Sequence, residues 1–174
     1  MTDFAEVKGV KINRADIKEQ GKNYVVLKNG IKIDIWKPLE NNGEEAYIKI
    51  DPKTNKTQLG NLLCGGITGS EGNDNIEISN ARFMGNINLN GGDDTLVVKD
   101  SFTREVNGGA GNDKIVFNNT RTLGLVSGEK IKYDNNSTAH NTVEGKQVSF
   151  ENGSSNGFNR ITAQNVRYKN EFMR

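Results

Sequence analysis

The chain has a single cysteine, Cys64, so no intrachain disulfide can staple it, and packing or a bound ion must hold it together. Only two prolines stand against 20 glycines, a balance that suits many tight turns. Apolar residues make up 33%, which is low for a helical globule but adequate for a fold that buries one face of each short strand. No apolar run approaches the roughly 20 residues that a bilayer-spanning helix needs. Charge of either sign is also not in excess. The net value of +1 supports no nucleic-acid or membrane-surface role by total charge. At 174 residues the chain has room for one domain, or one and a half, with a real core.

What is present is a repeat. Gly69-Ser70-Glu71-Gly72-Asn73-Asp74-Asn75-Ile76, Leu89-Asn90-Gly91-Gly92-Asp93-Asp94-Thr95-Leu96 and Gly108-Gly109-Ala110-Gly111-Asn112-Asp113-Lys114-Ile115 read alike. Each is a glycine-rich turn, an Asp, one spacer, and an aliphatic residue that opens a strand. The Asp residues fall at 74, 94 and 113, a period that points to stacked coils. Residues 61–118, which hold the motifs, carry 4 basic and 8 acidic side chains, the only acidic segment of the chain.

These residue types suit a hard cation. Calcium takes about six to eight oxygen ligands, carboxylate and backbone carbonyl together. Turning several carbonyls toward one point needs positive φ, which Gly adopts freely and Asn or Asp tolerates best among the rest. Gly69, Gly72, Asn73, Asn90, Gly92, Gly108, Gly109, Gly111 and Asn112 fill the turn positions. Asp74, Asp93, Asp94 and Asp113, with Glu71, supply charge. The plain alternative is that the same Asn and Gly serve turn geometry alone, in a metal-free solenoid.

The pattern resembles the hemolysin-type (RTX) calcium-binding nonapeptide G-G-x-G-x-D-x-U-x. The third motif matches every fixed position. Ser70 replaces the second Gly of the first, and Leu89 and Asn90 replace both leading glycines of the second. The match covers about residues 69–118, and one motif per coil resembles the variant solenoids with a single calcium loop per turn. The resemblance implies a secreted bacterial protein, exported by a type I system through an uncleaved C-terminal signal. A start without the apolar core of a Sec-type signal fits that expectation.

The expected architecture is all-β, a parallel β-roll or β-solenoid of about six coils over 61–174, with an N-terminal β cap over 1–60. Within the cap, a strand is expected from Val7 to Ile12. A hairpin is expected where Tyr24–Leu27 meets Ile31–Trp36 across Lys28-Asn29-Gly30. Inward pairs recur as Ile76/Ile78, Leu96/Val98, Ile115/Phe117, Ile131/Tyr133, Val148/Phe150 and Val166/Tyr168. A second wall is expected from Ile87/Leu89, Val106, Leu123/Leu125, Val143 and Ile161, giving two strands per coil. Phe117, Tyr133, Phe150 and Tyr168 are placed to stack. In the later coils the Asp position becomes Glu129, Lys146 and Gln164, so metal is expected in the first three only.

Other chemistry has little to stand on. Cys64 lies in an apolar run and His140 in a polar loop some four coils away, too far for a thiol–imidazole pair. Carbohydrate or another cell-surface partner is a second reading, with Glu77, Asp100, Glu105 and Glu151 as available acids whose spacing selects no pair. Polar loops at Asn135–Thr138 and Asn152–Asn156 read first as solvated turns, with a sugar-binding edge as the alternative. An ice-binding ladder is not expected, because the matching loop positions are Glu71, Gly91 and Ala110.

Overall fold

The computed structural model describes residues 3–40, 43–155 and 160–169. It is all-β apart from a 3-10 turn at Arg14–Asp16, and no helix among the described residues is long and apolar enough to cross a membrane. Asn156 of the second polar loop and residues 170–174 at the C-terminal end lie outside the described residues.

The N-terminal part is a set of antiparallel pairs. Strands β1 (Phe4–Val7) and β2 (Val10–Asn13) form a hairpin, where the sequence suggested one continuous strand. The chain reverses at Lys8-Gly9, both with positive φ (49° and 85°), the backbone of a two-residue hairpin turn. Ala5, Val7, Val10 and Ile12 then share one buried face. Strands β3 (Ile17–Gln20), β4 (Tyr24–Leu27) and β5 (Lys32–Pro38) form a meander, with the expected turn at Asn29-Gly30. Along β5 the isoleucines point inward and Lys32 and Trp36 outward, as alternation requires. β5 and β6 (Tyr47–Ile50) pair antiparallel with β7 (Thr57–Thr68), and so cover the edge of the first coil.

From β7 onward the chain winds as a parallel β-solenoid of about six turns between residues 57 and 169. It has three walls per coil, not the two expected. The first wall stacks 57–60, 75–79, 95–99, 114–118, 130–134, 147–151 and 165–169. The second stacks 62–64, 81–83, 102–103, 121–122, 138–139 and 154–155. The third stacks 67–68, 87–88, 106–107, 126–127, 143–144 and 161–162. The first two coils bury Leu62, Cys64, Ala81 and Phe83 on the second wall, but beyond them it is hard to see in sequence because its inward residues are small or polar: Thr103, Thr122 and Ala139. On the third wall Val126 is the inward residue, and Leu123 and Leu125 are half-buried in the preceding turn.

The first wall carries the core. Its inward pairs from Ile76/Ile78 to Val148/Phe150 are buried in register, each side chain contributing about 1.5–3 kcal/mol. Phe117, Tyr133, Phe150 and Tyr168 stack with centroids 5.0, 4.9 and 5.2 Å apart, the spacing of the coils themselves.

The corner between first and second walls is a ladder of left-handed residues. Asn61, Asn80, Asp100, Asn119 and Asn152 have φ of 53°, 53°, 51°, 47° and 57°. Asn80 donates to Asn61 Oδ1 at 2.9 Å, and Asn119 to Asp100 Oδ1 at 2.8 Å. Beside it a hydroxyl series takes the backbone N–H groups that the corner frees. Ser101 accepts from Ala81, Thr120 from Ser101, and Ser137 from Thr120.

Candidate metal centre

The three glycine-rich loops occupy the corner where the third wall of one coil passes into the first wall of the next. Thr95 N–H donates to the Asp74 carbonyl at 2.8 Å, Lys114 to Asp94 at 2.9 Å, and Lys130 to Asp113 at 2.9 Å. Asp74, Asp94, Asp113 and Glu129 therefore stand on consecutive coils along one edge. The side chains reach back one coil each. Asp94 Oδ1 accepts from Asp74 N–H at 2.7 Å, and Asp113 Oδ1 accepts from Asp94 N–H at 2.9 Å.

That leaves one oxygen of each carboxylate over. Asp94 and Asp113 are each 1% exposed, and their Oδ2 atoms are buried with no hydrogen-bond partner. A carboxylate oxygen can only accept, so burying two without a donor is costly. The consequence appears in acidity. The Asp94 carboxyl is pushed up to about 7, by burial first and then by the Asp113 and Asp74 carboxylates. Asp113 is also raised, by burial first, with Asp93 and Glu129 adding repulsion.

Asp74 differs. Ser70 donates its N–H to Oδ2 at 2.8 Å and its hydroxyl to Oδ1 at 2.6 Å, so both oxygens are satisfied within the first loop. Burial raises Asp74, and Ser70 works against the shift. The substitution of Ser70 for glycine thus closes the one carboxylate of the three that has local donors.

Backbone geometry separates the loops in the same way. Asn90 and Gly109 occupy matching positions with φ of 64° and 81°, and Gly92 and Gly111 match at 95° and 104°. Ser70 and Gly72, at the corresponding places in the first loop, are not among the positive-φ residues. Contact between successive loops is close. A Cβ at Gly111 would collide with the Gly92 carbonyl, one at Gly109 with the Asn90 carbonyl, and one at Gly92 with the Gly72 carbonyl. A Cβ at Gly108 would stand 2.7 Å from Asp113 Oδ2, and one at Gly69 2.8 Å from Asp74 Oδ2. The second and third loops bring backbone carbonyls and two donorless carboxylates to one edge.

The remaining acids and amides of the motifs lie outside this line. Asp93 is exposed, accepting from Asn112 N–H at 2.9 Å and donating its own N–H to Asn73 Oδ1 at 2.7 Å. Glu71 is exposed and accepts from Gly91 N–H. The acids form a row, and among the described residues no three Asp, Glu, His or Cys side chains surround one point. An ion here would draw on two carboxylates and take the rest of its shell from carbonyls and water, a mix that calcium accepts. The row ends in an internal cation: Lys146 Nζ lies 3.2 Å from Glu129 Oε1, one coil on.

The other candidates are occupied elsewhere. Cys64 is fully buried with its thiol pushed up to about 12 by burial, and it pairs in register with Phe83. His140 follows Ala139, several rungs further along the same wall, and its Nε2 contacts Thr138 Oγ1 at 3.1 Å. Glu77 pairs with Lys56 and Lys99, and Glu151 with Lys132 and Lys169. Asp100 and Glu105 hold Asn119 and Asn107. Each of the four is thus engaged by a lysine or an asparagine amide. The bonds from Ser70 to Asp74 and the asparagine corner went unread in the sequence, although Asn61, Asn80, Asp100 and Asn119 repeat at the motif's own period.

Comparison with family models, with curated proteins and with solved structures finds no match to this chain.

Proposed function

We propose that the chain is a calcium-binding β-solenoid module whose folding is coupled to calcium uptake, serving as a structural or binding domain of an exported bacterial protein. The observation that carries this reading is the pair of buried oxygens, Asp94 Oδ2 and Asp113 Oδ2, on consecutive coils with no donor between them. A neutral turn needs no such pair. A divalent cation would satisfy both and return the carboxyls to their ionised form. Asp94 and Asp113 would hold the ion, with carbonyls from Asn90–Gly92 and Gly109–Gly111 completing the shell. The first loop contributes less, because Ser70 already satisfies Asp74.

Coupling follows from charge. Without the ion, Asp74, Asp94, Asp113 and Glu129 crowd one edge and repel. With it, the native state gains RT ln(1 + [L]/Kd), about 2.7 kcal/mol at a hundred-fold excess. That is a sizeable share of an ordinary stability of about 5–15 kcal/mol. Low calcium inside a cell and high calcium outside would then place folding after export through a type I system. The test is thermal unfolding in EDTA and in millimolar calcium. The reading requires a higher melting temperature with calcium, and identical curves would sink it.

A further inference from the structure

The outward face of the second wall carries a row of residues unlike the rest of the surface. In register from the cap these are Lys37, Leu63, Arg82, Phe102, Arg121 and Thr138, one per rung, and none is acidic. Phe102 is half-buried at the centre, with Arg82 and Arg121 on the coils either side and Arg104 two residues along its own strand direction. The three guanidinium carbons lie 5.5, 5.9 and 6.0 Å from the Phe102 ring centroid. All three arginines are exposed, and among the described residues none is in an ion pair. Trp36, 55% exposed, stands where this row meets the cap.

Three like charges gathered at one ring repel, and no carboxylate on the wall relieves them. Asp100 and Glu105 flank the wall but are turned to Asn119 and Asn107. The ring attracts the cations through its face and fixes their spacing. Strand spacing of about 4.7–4.9 Å puts Arg82 and Arg121 about 9–10 Å apart along the axis. The arrangement places guanidinium forks on alternate coils of the wall, either side of Phe102.

We propose that this wall binds an acidic polysaccharide laid along the solenoid axis, its sulfate or carboxylate groups paired with Arg82, Arg104 and Arg121. A linear glycan repeats its anion at a constant interval, as the wall repeats its cation. A peptide strand finds no purchase, because the wall's backbone is already paired to the coils on both sides. Single-stranded nucleic acid needs a succession of open aromatic faces, and the one ring on the wall beyond the cap is covered by guanidinium groups. The proposal stands independently of calcium, since the acidic loops lie at the corner between the other two walls.

The test is binding of fluorescent heparin and of polygalacturonate, in EDTA and in calcium, with neutral dextran and an oligothymidine as comparisons. Wild type is set beside R82Q/R104Q/R121Q and beside Lys132→Gln, which removes a cation from the first wall, with the fold of each checked by circular dichroism. The expected result is salt-sensitive binding of one or both acidic glycans, weakened about ten-fold or more in the triple variant and retained in Lys132→Gln. Preference between heparin and polygalacturonate identifies sulfate or carboxylate as the recognised group. Should the triple variant be unfolded, the single changes Arg82→Gln and Arg121→Gln must each weaken binding. Equal binding by a folded triple variant, equal binding of neutral dextran, or tighter binding of the oligothymidine overturns the proposal.

Discussion

Asp113 Oδ1 accepts the backbone N–H of Asp94 at 2.9 Å, nineteen residues earlier in the chain, and in doing so aligns two carboxylates whose second oxygens have no donor. One contact therefore does two opposed things. It locks the second and third loops in register, and it concentrates negative charge where no protein donor reaches the second oxygens.

Asp94→Asn separates these effects. The amide keeps an acceptor for Asp74 N–H and brings a donor toward Asp113. In EDTA the variant is expected to be more stable than wild type by about 1 kcal/mol or more, a rise of roughly 2–4 °C in melting temperature per kcal/mol for a chain of this size. Differential scanning calorimetry reads it directly, and a lower melting temperature in EDTA would contradict the assignment of Oδ2 as donorless.

The pH dependence has a definite sign. The folded-state Asp94 carboxyl titrates near 7, above its unfolded value, so the folded chain binds the proton more tightly. Its contribution to stability is complete below the unfolded value of about 4 and is lost as pH rises through 7. In EDTA, wild type is expected to lose stability relative to Asp94→Asn across that window. In calcium the trend reverses, because the ion requires the ionised carboxylate. Melting curves of both proteins between pH 4 and 8 measure the difference, and parallel curves would refute it.

Ser70→Gly restores the glycine found at the same place in the third loop. It removes the hydroxyl bond into Asp74 and frees Oδ1. Calcium-free stability is expected to fall by about 1 kcal/mol, while the number of ions bound per chain rises from one to two. Calcium-loaded mass spectrometry under native conditions counts them, and an unchanged count with a folded variant would show that the first loop is excluded for another reason.

Much of this was legible in the residues. Inward pairs such as Ile115/Phe117 and Ile131/Tyr133 alternate cleanly because each faces the core from a five-residue strand, and the aromatic stack follows from their register. The second wall was not legible, because two-residue strands with Thr103, Thr122 and Ala139 inside carry no apolar rhythm. The row of Asp74, Asp94 and Asp113 could be placed from spacing alone. Ser70's closure of Asp74 could not, since it depends on how the first loop turns. Nor could the Arg82–Phe102–Arg121 row, whose members fall on a common line only once three walls are known.

The asparagine corner gives a test of the backbone. Asn119 sits at φ 47°, where β-branched residues are strained and glycine is not. Asn119→Val is expected to cost about 1–2 kcal/mol or more, and Asn119→Gly less than half as much. Urea denaturation of the two variants checks the order, and a reversed order would contradict the left-handed corner.

The most direct measurement is isothermal titration of calcium into wild type and Asp94→Asn. The account requires saturable binding by wild type, with one ion per chain, and its loss in Asp94→Asn. Absence of binding by folded wild type, or equal binding by both proteins, would contradict it.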